Sequence, residues 1–224
     1  MQKKAIILFS GGLDSTTCLA IAQNQGFVCY TLSFMYGQKH QIEIENAKSL
    51  AKKFNVIEHK ILHLPLDEIS NSSLTDIQKM VPNYTGDGDI PTTYVPARNT
   101  IFLSFALAWA EVIGANDIFI GANAIDYSGY PDCRPAYLQA FEQMAMLATK
   151  VGIEGQQFRI HAPLLKLSKA DIIQTGLKLG IDYSETISCY RADSLGRACG
   201  DCDSCTYRKK GFTEANMIDP TNYF

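Results

Sequence analysis

Two groups of residues in this chain have the types and spacing to do chemistry. The first is Ser10-Gly11-Gly12-Leu13-Asp14-Ser15. Adjacent glycines let the backbone turn tightly and approach an anion closely. A helix starting there offers free N–H groups and a positive dipole end. The hydroxyls of Ser10, Ser15 and Thr16 add donors. The chemistry is a grip on a phosphate chain. The loop is neither a Walker A sequence nor a G-x-G-x-x-G turn. The plain alternative is a glycine-rich turn without a ligand, and the full six-residue pattern weighs against it. Asp14 has two readings of equal weight. A carboxylate beside phosphates repels them unless a metal intervenes, which assigns it to Mg²⁺ positioning. It is equally a helix N-terminal charge worth ~0.3–1 kcal/mol.

The second group is Cys189, Cys199, Cys202 and Cys205. Thiolates are preferred ligands of structural zinc, and C-x-x-C sets two sulfurs on one tight turn. Four thiolates without a neighbouring histidine make a closed site, so the metal is structural and not catalytic. Idle reduced cysteines or a redox C-x-x-C are the rivals; three cysteines at i, i+3 and i+6 plus a fourth upstream favour metal. Cys18, Cys29 and Cys133 are scattered, and an odd total of seven with four of them clustered argues against a disulfide framework. Cys18 falls on the apolar face of the first helix and reads as core. His40, His59, His63 and His161 show no ligand spacing.

Elements alternating along the chain must position these groups. Ala5–Phe9 is an apolar run read as a strand buried on both faces. Helices are expected over Ser15–Gln25, Gln41–Phe54, Asn99–Ile113, Pro135–Val151 and Ser168–Leu179, several with glycine just behind. Ser168 and Asp171 have capping-box spacing. Strands are expected over Phe27–Phe34, Val56–Leu62, Asp117–Ile120 and Phe158–Ala162. The alternation predicts an α/β fold, a mostly parallel sheet flanked by helices, Rossmann-like. The phosphate loop then lies at the carboxyl end of the first strand, where ligands bind in open α/β sheets. His63–Thr93 is a long polar loop, expected to close over the site. Two regions are expected: a nucleotide-binding α/β domain over 1–182 and a small zinc-binding region over 183–224.

Bulk properties bound the partners. The 224 residues are 46% hydrophobic and 19% charged, enough for one good core. The net charge is −3, which disfavours nucleic acid as the main partner. No apolar run reaches ~18 residues, so no membrane span is expected. The apolar stretch after Met1-Gln2-Lys3-Lys4 is too short for a signal peptide, and the cytoplasm is the default location.

The hexapeptide resembles the PP-loop of the ATP pyrophosphatase superfamily, whose members cleave ATP between the α- and β-phosphates to activate an oxygen. The chain as a whole resembles the 7-cyano-7-deazaguanine synthase family. The match runs through Phe9-Ser10-Gly11-Gly12-Leu13-Asp14-Ser15-Thr16-Thr17-Cys18-Leu19, then Tyr36-Gly37-Gln38, Val95-Pro96-Ala97-Arg98-Asn99 and Asp126-Tyr127-Ser128-Gly129-Tyr130-Pro131-Asp132-Cys133-Arg134. It ends in Cys189-Tyr190 and Cys199-Gly200-Asp201-Cys202-Asp203-Ser204-Cys205. The resemblance implies conversion of 7-carboxy-7-deazaguanine and ammonia to the nitrile, a precursor of the tRNA nucleoside queuosine. It implies ATP with Mg²⁺ as co-substrate, one structural Zn²⁺ and a homodimer. By it, Phe9 to Leu19 bind ATP, Asp14, Ser15 and Arg98 are catalytic, and Tyr36, Gln38, Arg98, Asn99, Asp126, Tyr130 and Asp132 meet the substrate.

The residues alone leave alternatives open. Arg98 can pair in a fork with a carboxylate or phosphate, or form a surface ion pair. Asn99 can be a helix N-cap. Asp126–Pro131 offers stacking and edge hydrogen bonds to a planar base, or is a plain turn. Lys166, Ser168 and Lys169 can touch phosphate, though a solvated helix start is the stronger reading. Ammonia must come from solution or a partner, since no length remains for a glutaminase domain. Rival functions are another PP-loop amide-forming ligase such as an NAD or GMP synthetase, a tRNA-thiolating enzyme, and a zinc-ribbon interaction module without turnover.

Overall fold

A computed structural model describes residues 2–39, 42–86, 90–123 and 130–224. Five strands alternate with helices: β1 (Lys4–Leu8), α1 (Leu13–Asn24), β2 (Val28–Met35), α2 (Ile42–Lys53), β3 (Glu58–His63), α3 (Arg98–Ile113), β4 (Asp117–Phe119), α4 (Pro135–Ala148), α5 (Lys150–Ile153), β5 (Arg159–His161), α6 (Lys169–Lys178) and α7 (Asp203–Glu214). The sheet order is β3-β2-β1-β4-β5, and every pairing is parallel. The chain winds outward from β1 to β3, then returns to the other side of β1. That reversal places a topological switch point between the carboxyl ends of β1 and β4.

The apolar run in β1 is continuous because both its faces are covered. Ala5 and Ile7 join one core, with Leu19 of α1, Ala47 and Leu50 of α2, and Ile172 and Ile173 of α6. Ile6 and Leu8 point the other way, into a core with Leu103 and Ala106 of α3 and Leu138 and Phe141 of α4. Phe212 of α7 and Ala215 just behind it also enter the first core. Arg208 is buried there, donating to the carbonyl of Tyr183 at 2.8 Å and paired with Asp219 at 3.1 Å.

Several expected caps are present. Gly114 ends α3 in the left-handed region, and Ser168 and Asp171 form the reciprocal capping box of α6. The expected single helix Pro135–Val151 is instead two. Thr149 is extended (φ −120°, ψ 152°), and its side chain accepts from the Gly152 N–H. A side chain that caps a new turn competes with continuation of the old one.

Among its described residues, the segment between β3 and α3 has one short 3₁₀ turn, Leu66–Glu68, and otherwise irregular backbone. It is anchored by burial all the same. Leu66, Leu74 and Val81 pack with Val95, Cys189 and Cys202 in a third cluster. The Ser73 N–H donates to the Thr92 carbonyl at 2.9 Å, and the Tyr84 N–H to that of Asp201 at 3.0 Å.

Candidate active site and four-cysteine cluster

The phosphate loop caps β1 at the switch point. Gly12 precedes α1 with extended backbone and brings no capping side chain of its own, and the helix N-terminus borders the cavity. Gly11 lies at φ +75°, and a Cβ there would sit 3.0 Å from the backbone of Ala47. Asn46 of α2 donates to the Gly11 carbonyl at 3.1 Å, as does the Ile187 N–H at 3.3 Å. Ser15 Oγ donates to the Gly12 carbonyl at 3.2 Å and accepts from the Ser10 N–H at 3.2 Å. Gly11→Ala forces a left-handed alanine into that contact, which costs about 1–2 kcal/mol before any shift of α2. Chemical denaturation should show at least that loss.

The cavity outside this loop measures about 250 Å³. Phe9, Ser10, Gly12, Leu13, Asp14 and Ser15 form one wall, and Gly121 to Asn123, behind β4, form another. Gly121 is required by close approach, since a Cβ would lie 3.2 Å from the Ser15 nitrogen. Thr17, Cys18 and Leu19 are not on the wall. Cys18 and Leu19 are fully buried core, and the Thr17 hydroxyl bonds the Leu13 carbonyl at 2.8 Å and the Tyr183 hydroxyl at 2.7 Å. They hold the helix that carries the loop.

Tyr36, Gln38, Arg98, Asn99 and Tyr130 line the same cavity. Arg98 opens α3. The residue before it, Ala97, has φ 53°, a left-handed strain of the kind that collects at functional sites. The guanidinium donates to the Tyr36 hydroxyl at 3.3 Å and lies 5.6 Å from the centre of that ring. Burial raises the Tyr36 phenol, and Arg98 partly offsets this. Phe34 and Phe102 stack beneath at 4.0 Å and 7°. Asn99 is not an N-cap. It lies inside α3, and its N–H donates to Asp132 at 2.9 Å while its amide donates to the Asp132 carbonyl and Cys133 Sγ, both at 3.3 Å. Asp132, 6% exposed, thus supplies the missing cap from another segment and orients Asn99. Tyr130 bonds the Thr93 hydroxyl at 3.0 Å. Asp126 lies outside the described residues.

Lys169, Ser188, Tyr190 and Glu43 also belong to this site, and of these Ser188 and Glu43 were not singled out in the sequence. Lys169 is one whose reading as a solvated helix start is overturned. It is 7% exposed, and its ammonium donates to both oxygens of Asp14 at 2.8 and 2.9 Å. Asp14 therefore stands beside the phosphate pocket already neutralised by a cation of the chain. Ser188 accepts from the Leu13 N–H at 3.0 Å, and Tyr190 lines the far wall. Glu43 also lines the cavity. Burial pushes its carboxyl up to about 7, against an opposing pull from Arg98. Its position carried a signal: counting 43, 47, 50, 54 at steps of four, three and four puts an acid on the apolar stripe of α2. Since the folded pKa lies above the ordinary value of 4.5, folding is favoured most below that value. Stability falls as pH rises toward about 7. Glu43→Gln should flatten that decline in urea titrations between those pH values.

The four cysteine sulfurs all lie within 4.8 Å of one another, and Cys199 and Cys205 are 3.9 Å apart. Tetrahedral zinc with ~2.3 Å bonds sets sulfurs about 3.8 Å apart, so the set fits that ion. The N–H groups of Arg191 and Cys199 donate to Cys189 Sγ at 3.2 and 3.3 Å, and the Arg191 guanidinium to Cys199 Sγ at 3.4 Å. Such N–H···S bonds orient and stabilise thiolates. Of the histidines, His59 bonds Ser33 at 2.8 Å and His161 bonds Asp117 at 2.6 Å. His40 lies outside the described residues.

A parallel sheet of this order, with a glycine-rich strand-to-helix loop at its switch point, defines a Rossmann-like α/β protein. The solved structure of an NMN synthetase from Francisella tularensis shares the fold, with a TM-score of 0.52 at 19% identity over 97% of this chain and 78% of that one. The family model described as queuosine biosynthesis protein QueC matches residues 4–216, and the chain belongs to that family. A 7-cyano-7-deazaguanine synthase of Methylococcus capsulatus is 62% identical over 222 residues, 99% of both chains. Another, of Stutzerimonas stutzeri, is 60% identical over all of this chain and 99% of its own.

Proposed function

We propose that this chain converts 7-carboxy-7-deazaguanine and ammonia to 7-cyano-7-deazaguanine at the expense of ATP. The supporting observation is that the glycine-rich loop at the end of β1 and the guanidinium of Arg98 line one cavity in a chain so similar to named synthases. A carboxylate is a poor electrophile, because oxide is a very poor leaving group. Linking that oxygen to a phosphoryl group makes it leave readily. Ammonia then gives the amide, and a second activation of the amide oxygen gives the nitrile. The loop N–H groups and the Ser10 and Ser15 hydroxyls hold the phosphates, stabilising the charge that develops there. Arg98 pairs with the substrate carboxylate and orients it toward the α-phosphate. Gln38, Asn99 and Tyr130 border the base.

Mg²⁺ bound with ATP would add positive charge at the phosphates. Asp14 fits as its protein ligand, because each carboxylate oxygen keeps a lone pair beyond its bond to Lys169. Zn²⁺ would be held by Cys189, Cys199, Cys202 and Cys205, organising 183–224 as a structural region. A cytoplasmic location suits reduced thiolates, and among the described residues no helix is long and apolar enough to cross a membrane. The homodimer and the absence of direct nucleic-acid contact are part of the same reading.

Incubation with ATP, Mg²⁺, ammonium and the carboxy-deazaguanine, followed by mass spectrometry, tests the proposal. The expected result is ATP-dependent nitrile. ATP cleavage with a different acid and no nitrile would favour another PP-loop ligase.

A further inference from the structure

Glu43 is a carboxylate with no obvious structural employment. It projects from the first turn of α2 into the cavity wall. Among the described residues its oxygens make no hydrogen bond and no ion pair within 4 Å. The charged and titratable groups that act on it are Arg98 and the cysteine cluster at Cys202, while Lys39 shares the cavity lining. A half-buried carboxylate without donors is costly. A fold that keeps one in a ligand cavity leaves two acceptor oxygens waiting for donors from the ligand.

We propose that Glu43 reads the base: its two oxygens accept the paired N–H donors of the guanine-type edge, one from the ring amide and one from the exocyclic amine. This rests on the deazaguanine reading of the cavity given above. The position suits it. Glu43 lies about one turn, roughly 5 Å along the axis, from Asn46, which donates to the Gly11 carbonyl at 3.1 Å. A fused two-ring base can span that interval, its carboxyl group toward the loop and Arg98 and its amidine-like edge toward Glu43. Arg98 faces the substrate's acid and Glu43 its donors, so one cavity discriminates both ends. A base carrying a lone pair at that edge, as an adenine does, meets a repelling carboxylate.

The raised proton affinity of Glu43 in this cavity is consistent with this. Two donors delivered together would stabilise the ionised carboxylate that burial disfavours.

The test compares Glu43→Gln with the parent chain on two acids: 7-carboxy-7-deazaguanine and its analogue lacking the exocyclic amine. Glutamine keeps the shape but turns one acceptor into a donor. Steady-state kinetics should show KM for the natural acid raised by roughly 10–100-fold, the span expected for charged hydrogen bonds, with KM for ATP and kcat little changed. The parent should prefer the natural acid over the analogue, and the variant should lose most of that preference. A raised KM for ATP with the base unaffected would overturn the assignment and place Glu43 at the nucleotide. An unchanged preference in a well-folded variant, checked by thermal denaturation, would overturn it as well. If the parent makes no nitrile at all, the functional reading itself fails, a result distinct from either of these.

Discussion

Lys169→Met is expected to damage both folding and catalysis. The substitution leaves the Asp14 carboxylate beside the phosphate pocket without the ammonium that binds both of its oxygens. Removing one partner of a buried pair costs about 3–5 kcal/mol. Asp14 remains 24% exposed, so solvent screening places the loss near the lower end, about 3 kcal/mol. Catalysis should suffer separately, because an uncompensated anion now faces the incoming phosphates. A fall in kcat/KM of roughly 10²–10³-fold is expected, the scale of losing one preorganised electrostatic contact. The double variant Asp14→Asn with Lys169→Met separates the two effects. It should recover most of the stability in urea titrations, because neither charge is stranded, and little of the activity. A single Lys169→Met variant with parental stability and turnover would show that the pair is incidental.

Cys202→Ser should be at least as severe. Cys202 is fully buried within the cluster, and serine is a poor ligand for a soft site of four thiolates. Structural zinc contributes about 10–16 kcal/mol in small zinc-finger peptides, so loss of one ligand should strip the metal and loosen everything it fastens. The consequence reaches the phosphate loop through a short route. Ser188, which holds the Leu13 N–H at 3.0 Å, is the residue before Cys189. Leu66, Leu74 and Val81 rest on the same cysteines. Metal analysis should give about one zinc per parent chain and a small fraction of that in the variant. ATP affinity and thermal stability should fall together. Full zinc content with parental stability in Cys202→Ser would remove the cluster from this role.

Much of the frame was legible because it is local. Strand and helix periods, glycines behind helices and the Ser168–Asp171 box depend on residues a few positions apart, and they stand where the pattern put them. The phosphate loop and the cysteine set were readable for the same reason. Residues brought together by tertiary structure were not. Lys169 looks like any cation at a helix start. It becomes a partner of Asp14 only because α6 packs beside α1. Ser188 is an ordinary serine until its segment crosses the α1 N-terminus. Asn99 has the residue type of an N-cap, yet Asp132, thirty-three positions away, does that work. The break at Thr149 was missed because apolar spacing continues through it, while the hydroxyl capping the next turn is a local alternative the period does not register. Glu43 left a readable trace, a charge on an apolar stripe, whose meaning depended on a cavity the sequence does not display.

The central claim is that this chain uses ATP to convert both oxygens of a carboxylate into leaving groups. Labelling the carboxyl group of 7-carboxy-7-deazaguanine with oxygen-18 tests it most directly. Turnover with ammonium, Mg²⁺ and unlabelled ATP in ordinary water should yield unlabelled nitrile, with both heavy oxygens recovered in AMP or phosphate by mass spectrometry. Heavy oxygen released to water instead, or a product that stops at the labelled amide, would contradict the account.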